Sequence, residues 1–131
     1  MAGLSLVFFG SGPVAAESLK LLAQDFDIEA IVTKPTTLEE MSSIYKNAKV
    51  HAVSNQKELD ELMATCPFMA EIAVLIDFGI IVSQEVIDYF PKGIINSHFS
   101  LLPEWRGADP ITFAILSGQA KTGVSLMLID A

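Results

Sequence analysis

The chain has 131 residues, 51% of them hydrophobic and 18% charged, and a mean hydropathy of +0.47, which suits a single domain with strands buried on both faces. Its formal charge of -8 at pH 7 argues against nucleic acid as a strong partner of this domain alone, because an acidic surface repels phosphate. The lone cysteine, Cys66, excludes an internal disulfide and a thiolate metal site and fits a reducing cytoplasm; no apolar run approaches the roughly 18 residues that cross a bilayer, and no signal peptide is expected.

Leu4 to Phe9, rich in Val and Phe, predicts a central buried strand bounded by Gly10-Ser11-Gly12-Pro13. Val14, Leu19, Leu21 and Leu22 then recur at helical spacing with Ala15, Ala16 and Ala23. Ser11 or Gly12 is placed to cap that helix, and Pro13 suits its first turn, where its missing N–H would be unpaired anyway. Ile28 to Thr33 predicts a second strand, ended by Lys34-Pro35. Thr36 or Thr37, with Glu39 and Glu40 behind, predicts a helix start running to about Asn47.

Val50 to Val53 predicts a short, edge-like third strand, and Ser54 is expected to cap a helix that ends by Pro67. Ile72 to Phe78 is the most apolar strand of the chain, and Ser83 should cap a short helix from Gln84 to Phe90. Gly93 to Ser97 predicts a fifth strand, Ala108 to Ser117 a helix stopped at Gly118, and Thr122 to Asp130 a last strand. This alternation predicts an α/β fold, a mostly parallel sheet with right-handed crossovers and helices on both faces.

Two stretches invite chemistry. Gly10-x-Gly12-x-x-Ala15 after a first strand matches the dinucleotide fingerprint in its loosest form. Pro13 removes one N–H from the phosphate cradle, and Thr33 and Lys34 stand where a ribose would need an acid. A tight turn that needs small residues is the better account, and a phosphate held by this turn and Lys34 stays open. Asn96 and His98 are two apart, so an extended backbone points both to one face at the end of a buried strand. A side-chain amide donates to an oxygen that gains negative charge, and an imidazole donates or shuttles a proton; the pair suits acyl-type transfer through a tetrahedral intermediate. From spacing alone the better account is the plainer one, in which Asn96 tethers a loop and His98 is a satisfied half-buried histidine, the commoner fate of a lone histidine. Arg106 would bind a carboxylate or phosphate, or pair with Glu104 or Asp109. Two distant histidines and no carboxylate cluster at ligand spacing give no metal site.

Asn96-Ser97-His98-Phe99-Ser100-Leu101-Leu102-Pro103-Glu104-Trp105-Arg106-Gly107-Ala108-Asp109-Pro110 resembles, at fixed spacing, the signature of the folate-dependent formyltransferases. Weaker similarity runs through Phe8 to Pro13, Ile31 to Pro35, Asp77 to Ile81 and Lys121 to Met127. The resemblance implies that residues 1–131 form a Rossmann-like catalytic domain that takes 10-formyltetrahydrofolate and moves its formyl group to an amine, first of all that of methionyl-tRNA. Carried over by position, Asn96 would hydrogen-bond the formyl oxygen and His98 would handle a proton. Ser100, Leu101, Leu102 and Pro103 would line the folate site, and Phe78, Gly79 and Ile80 would offer main-chain contacts and an apolar wall to the pterin. The resemblance tips Asn96 and His98 toward chemistry.

Two departures shape the expectation. The family's third catalytic residue is an aspartate in an Asp-x-Gly-x-Asp-Thr-Gly run, of which Asp130-Ala131 matches only the first two positions. The chain is therefore expected to belong to a longer protein that supplies that aspartate and an oligonucleotide-binding-type domain. In the members that act on tRNA, a basic, Gly-rich insertion follows the second strand; here stands the acidic Thr36-Thr37-Leu38-Glu39-Glu40-Met41. That substitution keeps open a small acceptor, such as an amino sugar nucleotide or glycinamide ribonucleotide, and a folate-binding module without activity.

Overall fold

The computed structural model describes residues 4–65, 68–97 and 126–128. Strands β1 (Ser5–Gly10), β2 (Asp27–Thr33), β3 (Lys49–Ala52), β4 (Ile72–Ile76), β5 (Ile94–Ser97) and β6 (Leu126–Leu128) form one sheet in the order β3-β2-β1-β4-β5-β6. The first five run parallel, and β6 runs antiparallel to β5. Between them lie α1 (Pro13–Asp25), α2 (Leu38–Ile44), α3 (Gln56–Thr65) and α4 (Gln84–Tyr89). The chain builds outward from β1 to β3, then crosses to β4 on the other side of β1. That reversal is the switch point of a doubly wound sheet.

The hydrophobic run of β1 has a direct cause: both of its faces are covered. Leu6 and Phe8 pack with Ala15, Leu19 and Leu22 of α1 and Met41 of α2. Val7 and Phe9 pack on the opposite side with Leu59 and Met63 of α3 and Val86 of α4. Entry to β4 is tied down by Glu29 of β2, whose carboxylate accepts the Met69 N–H at 2.8 Å and the Ala70 N–H at 2.7 Å. Among the described residues no helix is long and apolar enough to cross a membrane.

The strand and helix alternation is as expected, and four local details differ. Asn55, not Ser54, caps α3: its Oδ1 accepts the Glu58 N–H at 2.9 Å, while the Ser54 N–H donates to Glu58 Oε1 at 2.7 Å. β4 stops at Ile76 instead of Phe78, because Asp77 has φ 53 and breaks the extended run. α2 ends at Ile44, short of Asn47, and follows a 3-10 turn at Pro35–Thr37. Thr37 holds the cap position, so α2 starts where expected, but its side chain makes no cap bond; its hydroxyl lies 2.6 Å from Thr33 Oγ1 and 3.3 Å from the Lys34 carbonyl oxygen. Gly12 holds the cap position of α1, and the Ser11 hydroxyl is engaged elsewhere. Ser83 caps α4 as expected, its Oγ accepting the Val86 N–H at 3.4 Å. The helix expected over Ala108 to Ser117 lies outside the described residues, as does the last strand apart from Leu126–Leu128.

His51 sits on β3, at the sheet edge, with its ring 5.9 Å from that of Phe68. Burial, then the charge of Lys49, holds its pKa below the ordinary 6.5. The folded state thus resists protonation that the unfolded chain accepts, so stability is full above the ordinary value and falls as pH drops from there toward the lowered one. Urea midpoints measured from about pH 7.5 down to 5.5 should show that fall, reduced in His51→Gln. An unchanged slope in the variant would remove His51 as its source.

Candidate active site

The carboxyl ends of β1, β4 and β5 lie side by side. Register places Phe9 beside Leu75 and Leu75 beside Asn96. Ile94 belongs to the core under α3 and α4, and Ile95 to the core under α1 and α2. The two-residue period of a strand therefore puts Asn96 on the α3/α4 side, where it is half-buried.

The loop leaving β4 rises on the same side. Phe78 is only 1% exposed, with its ring 5.6 Å from that of Phe9 in an edge-on packing of 69°, so it anchors the loop to the core. Gly79 is exposed and has φ 80, a conformation that suits a residue without a β-carbon. Ile80 packs half-buried on the core, while Ile81 is 82% exposed. Gln56 of α3 holds this loop by donating from Nε2 to the Ile81 carbonyl oxygen at 2.9 Å. Ser83 holds its far end by donating to Asp60 Oδ1 at 2.7 Å.

The turn after β1 closes against this loop. The N–H groups of Ser11 and Gly12 both donate to the Asp77 carbonyl oxygen, at 3.0 and 3.1 Å. The Ser11 hydroxyl shares its proton between the carbonyl oxygens of Asp77 at 3.2 Å and Phe78 at 2.9 Å. The Asp77 carboxylate fills the space that a β-carbon on Gly12 would take, at the amino end of α1. With Pro13 offering no N–H, and with the Ser11 and Gly12 N–H groups both given to Asp77, the turn itself keeps no main-chain donor for a pyrophosphate, which favours the tight-turn account.

Lys34, at the exit of β2, reaches over to the β4 loop: a β-carbon on Gly79 would stand 2.5 Å from Lys34 Nζ and 3.3 Å from its Cε. The structure thus assembles Asn96, Phe78, Gly79, Ile80 and Lys34 along one edge of the sheet. His98, Ser100, Leu101, Leu102, Pro103 and Arg106 lie outside the described residues. A separate surface groove beside β3, lined in part by His51, Glu58, Glu61 and Thr65, takes in none of these site residues. Among the described residues no group of three His, Cys, Asp or Glu side chains is placed to hold a metal ion.

A family model described as formyl transferase matches residues 16–131. The chain belongs to the formyl transferase family. It is 34% identical to the methionyl-tRNA formyltransferase of Francisella philomiragia subsp. philomiragia, in an alignment covering 100% of this chain and 46% of that protein. The methionyl-tRNA formyltransferases of Francisella tularensis subsp. mediasiatica and subsp. novicida are each 33% identical over the same shares. The chain spans less than half the length of these relatives.

Two features of this formyl transferase domain escape sequence reasoning. An acid directly after an apolar strand, followed by Phe78-Gly79, was the only sign that Asp77 would close on the β1 turn. The approach of Lys34 to Gly79 had no local sign, since it depends on β2 and β4 flanking β1 in the folded sheet.

Proposed function

We propose that this formyl transferase domain is a catalytic domain that moves a formyl group from 10-formyltetrahydrofolate to the amino group of methionyl-tRNA in the cytoplasm. The observation that carries the proposal is the placement of Asn96 at the end of β5, beside the loop that leaves β4 with an exposed Gly79. The donor supplies a formyl carbon bound to nitrogen on a flat fused ring. A loop with a side-chain-free Gly79 and the apolar Ile80 and Ile81 at hand fits such a ring, because main chain and aliphatic carbon pack against flat faces without a steric block.

Asn96 would donate from its amide to the formyl oxygen, which gains negative charge as the acceptor amine adds to the formyl carbon. His98 would take up the proton that the amine loses and return one to the leaving nitrogen. Ser100, Leu101, Leu102 and Pro103 would form the opposite wall of the donor site. The acceptor assignment rests on what the relatives' name states of them. A small amine carrying a phosphate, such as an amino sugar nucleotide or glycinamide ribonucleotide, is the second reading; it is favoured by the exposed acids Glu39 and Glu40 at the start of α2.

Titration of the chain with a tetrahydrofolate analogue, followed by calorimetry, tests the donor site. Formyl-transfer assays with methionyl-tRNA and with each small amine test the acceptor. Absence of analogue binding sinks the folate site, and transfer to a small amine alone sinks the tRNA assignment.

A further inference from the structure

We propose that Lys34 selects the pterin of the formyl donor by donating a hydrogen bond from its ammonium to the ring's carbonyl oxygen, a role that rests on the donor-site reading of this edge. Lys34 leaves β2, yet its ammonium stands on the loop after β4: a β-carbon at Gly79 would lie 2.5 Å from Lys34 Nζ. The missing side chain at Gly79 is thus what lets the ammonium come down onto the exposed main chain of that loop. A polar donor from one strand thereby meets a main-chain surface from another, across the intervening β1.

The ammonium has donors to spare. Lys34 is half-buried, and among the described residues no hydrogen bond or ion pair uses its Nζ; the described ion pairs join Lys20 to Glu17 and Lys92 to Glu71. Asp77 does not serve, because its carboxylate is turned onto Gly12. A partly desolvated ammonium with three donors and no acceptor favours a ligand that brings an acceptor to it. The base of the side chain is fixed. The Lys34 carbonyl oxygen accepts the Thr37 N–H at 3.0 Å, and that of Thr33 accepts the Val53 N–H at 2.9 Å.

The order of the strands decides which part of the donor arrives there. Along this edge Lys34 of β2, the β1 turn, Gly79 of the β4 loop and Asn96 of β5 follow one another. A donor with its formyl group at Asn96 and its pterin on Gly79 turns the far edge of the ring toward β2. That far edge carries an amino group and a ring N–H, which only donate, and a carbonyl oxygen, which accepts. An ammonium complements the carbonyl alone. The glutamate tail leaves the formyl-bearing nitrogen on the side away from the ring, and so away from Lys34.

The test measures by calorimetry the binding of three ligands to the wild type, Lys34→Met and Lys34→Arg. Tetrahydrofolate carries carbonyl and tail, tetrahydropteroate lacks the glutamate, and 4-amino-4-deoxytetrahydrofolate replaces the carbonyl by an amino group. Methionine keeps the length of the stem and removes the donor. Lys34→Met is expected to weaken tetrahydrofolate and tetrahydropteroate alike, by about 10-fold, as for a charge-assisted hydrogen bond at a half-buried site. Binding of the 4-amino ligand should stay within about twofold of wild type, so the variant loses the preference for the carbonyl. Lys34→Arg should recover most of that preference. A loss confined to tetrahydrofolate assigns the ammonium to the tail carboxylate and overturns the proposal. An equal loss for the carbonyl and amino ligands makes Lys34 a prop for the loop and overturns it too, as does unchanged binding of all three. A wild type that binds none of the ligands rejects the donor site itself, and the proposal with it; binding that ignores Lys34 rejects the proposal alone.

Discussion

Replacing Asn96 with alanine is expected to slow formyl transfer about 10²- to 10³-fold, the usual loss when one donor to a developing oxyanion is removed. The fold should survive, since Asn96 is half-buried at a strand end and a lost hydrogen bond there costs only about 1 kcal/mol. Asn96→Asp should lose as much activity with less change in shape, because an ionised carboxylate repels the charge that the amide would stabilise. Single-turnover rates for the three proteins at saturating donor, beside their urea midpoints, separate the two roles. A drop in stability that accounts for the lost activity would make Asn96 a loop tether.

Phe9→Ala is expected to be the costliest change in the core, at about 3–5 kcal/mol. Phe9 is fully buried, and its ring meets Phe78 at 5.6 Å and Phe90 at 6.1 Å, both edge-on. Phe90 in turn packs on Tyr89, and Tyr89 on Phe68. Removing the first ring therefore opens a cavity directly beneath the β4 loop, so the candidate-site edge should loosen along with the core. Phe9→Leu keeps most of the volume and should cost no more than about 1–2 kcal/mol, with folate-analogue binding retained. Urea unfolding and near-ultraviolet circular dichroism read both effects. A cost for Phe9→Ala below about 1 kcal/mol would mean that the aromatic chain does not support the loop.

Much of this architecture is legible from residue order. The run Leu6 to Phe9 announces a strand covered on both sides, and it sits at the centre of the sheet. Ser83 announces the start of α4 and caps it. Legibility fails where two neighbouring residues compete for one role. Ser54 and Asn55 both make good caps, and only the reciprocal bonds with Glu58 decide between them. It fails again where an apolar pattern runs through a turn: Phe78 continues the hydrophobicity of β4, yet Asp77 has already turned the chain. The direction of β6 was hidden for a third reason, because a strand's side-chain pattern is the same whether it pairs parallel or antiparallel. At the site, the strand period alone gives the face of Asn96. Its neighbours Phe78, Gly79 and Ile80 were reached through the family signature.

The placement of Asp77 has an electrostatic consequence. The amino end of a helix as long as α1 carries a partial positive charge, and in open α/β sheets that end commonly draws a nucleotide's diphosphate. Here the carboxylate filling the space at Gly12 and the carbonyl accepting from Ser11 and Gly12 answer that charge from within the chain. The protein carries its own anion at the position where a dinucleotide would bring one. A second anion at that helix end would meet this carboxylate, whereas the ends of β4 and β5, one strand over, carry no such charge from Asp77.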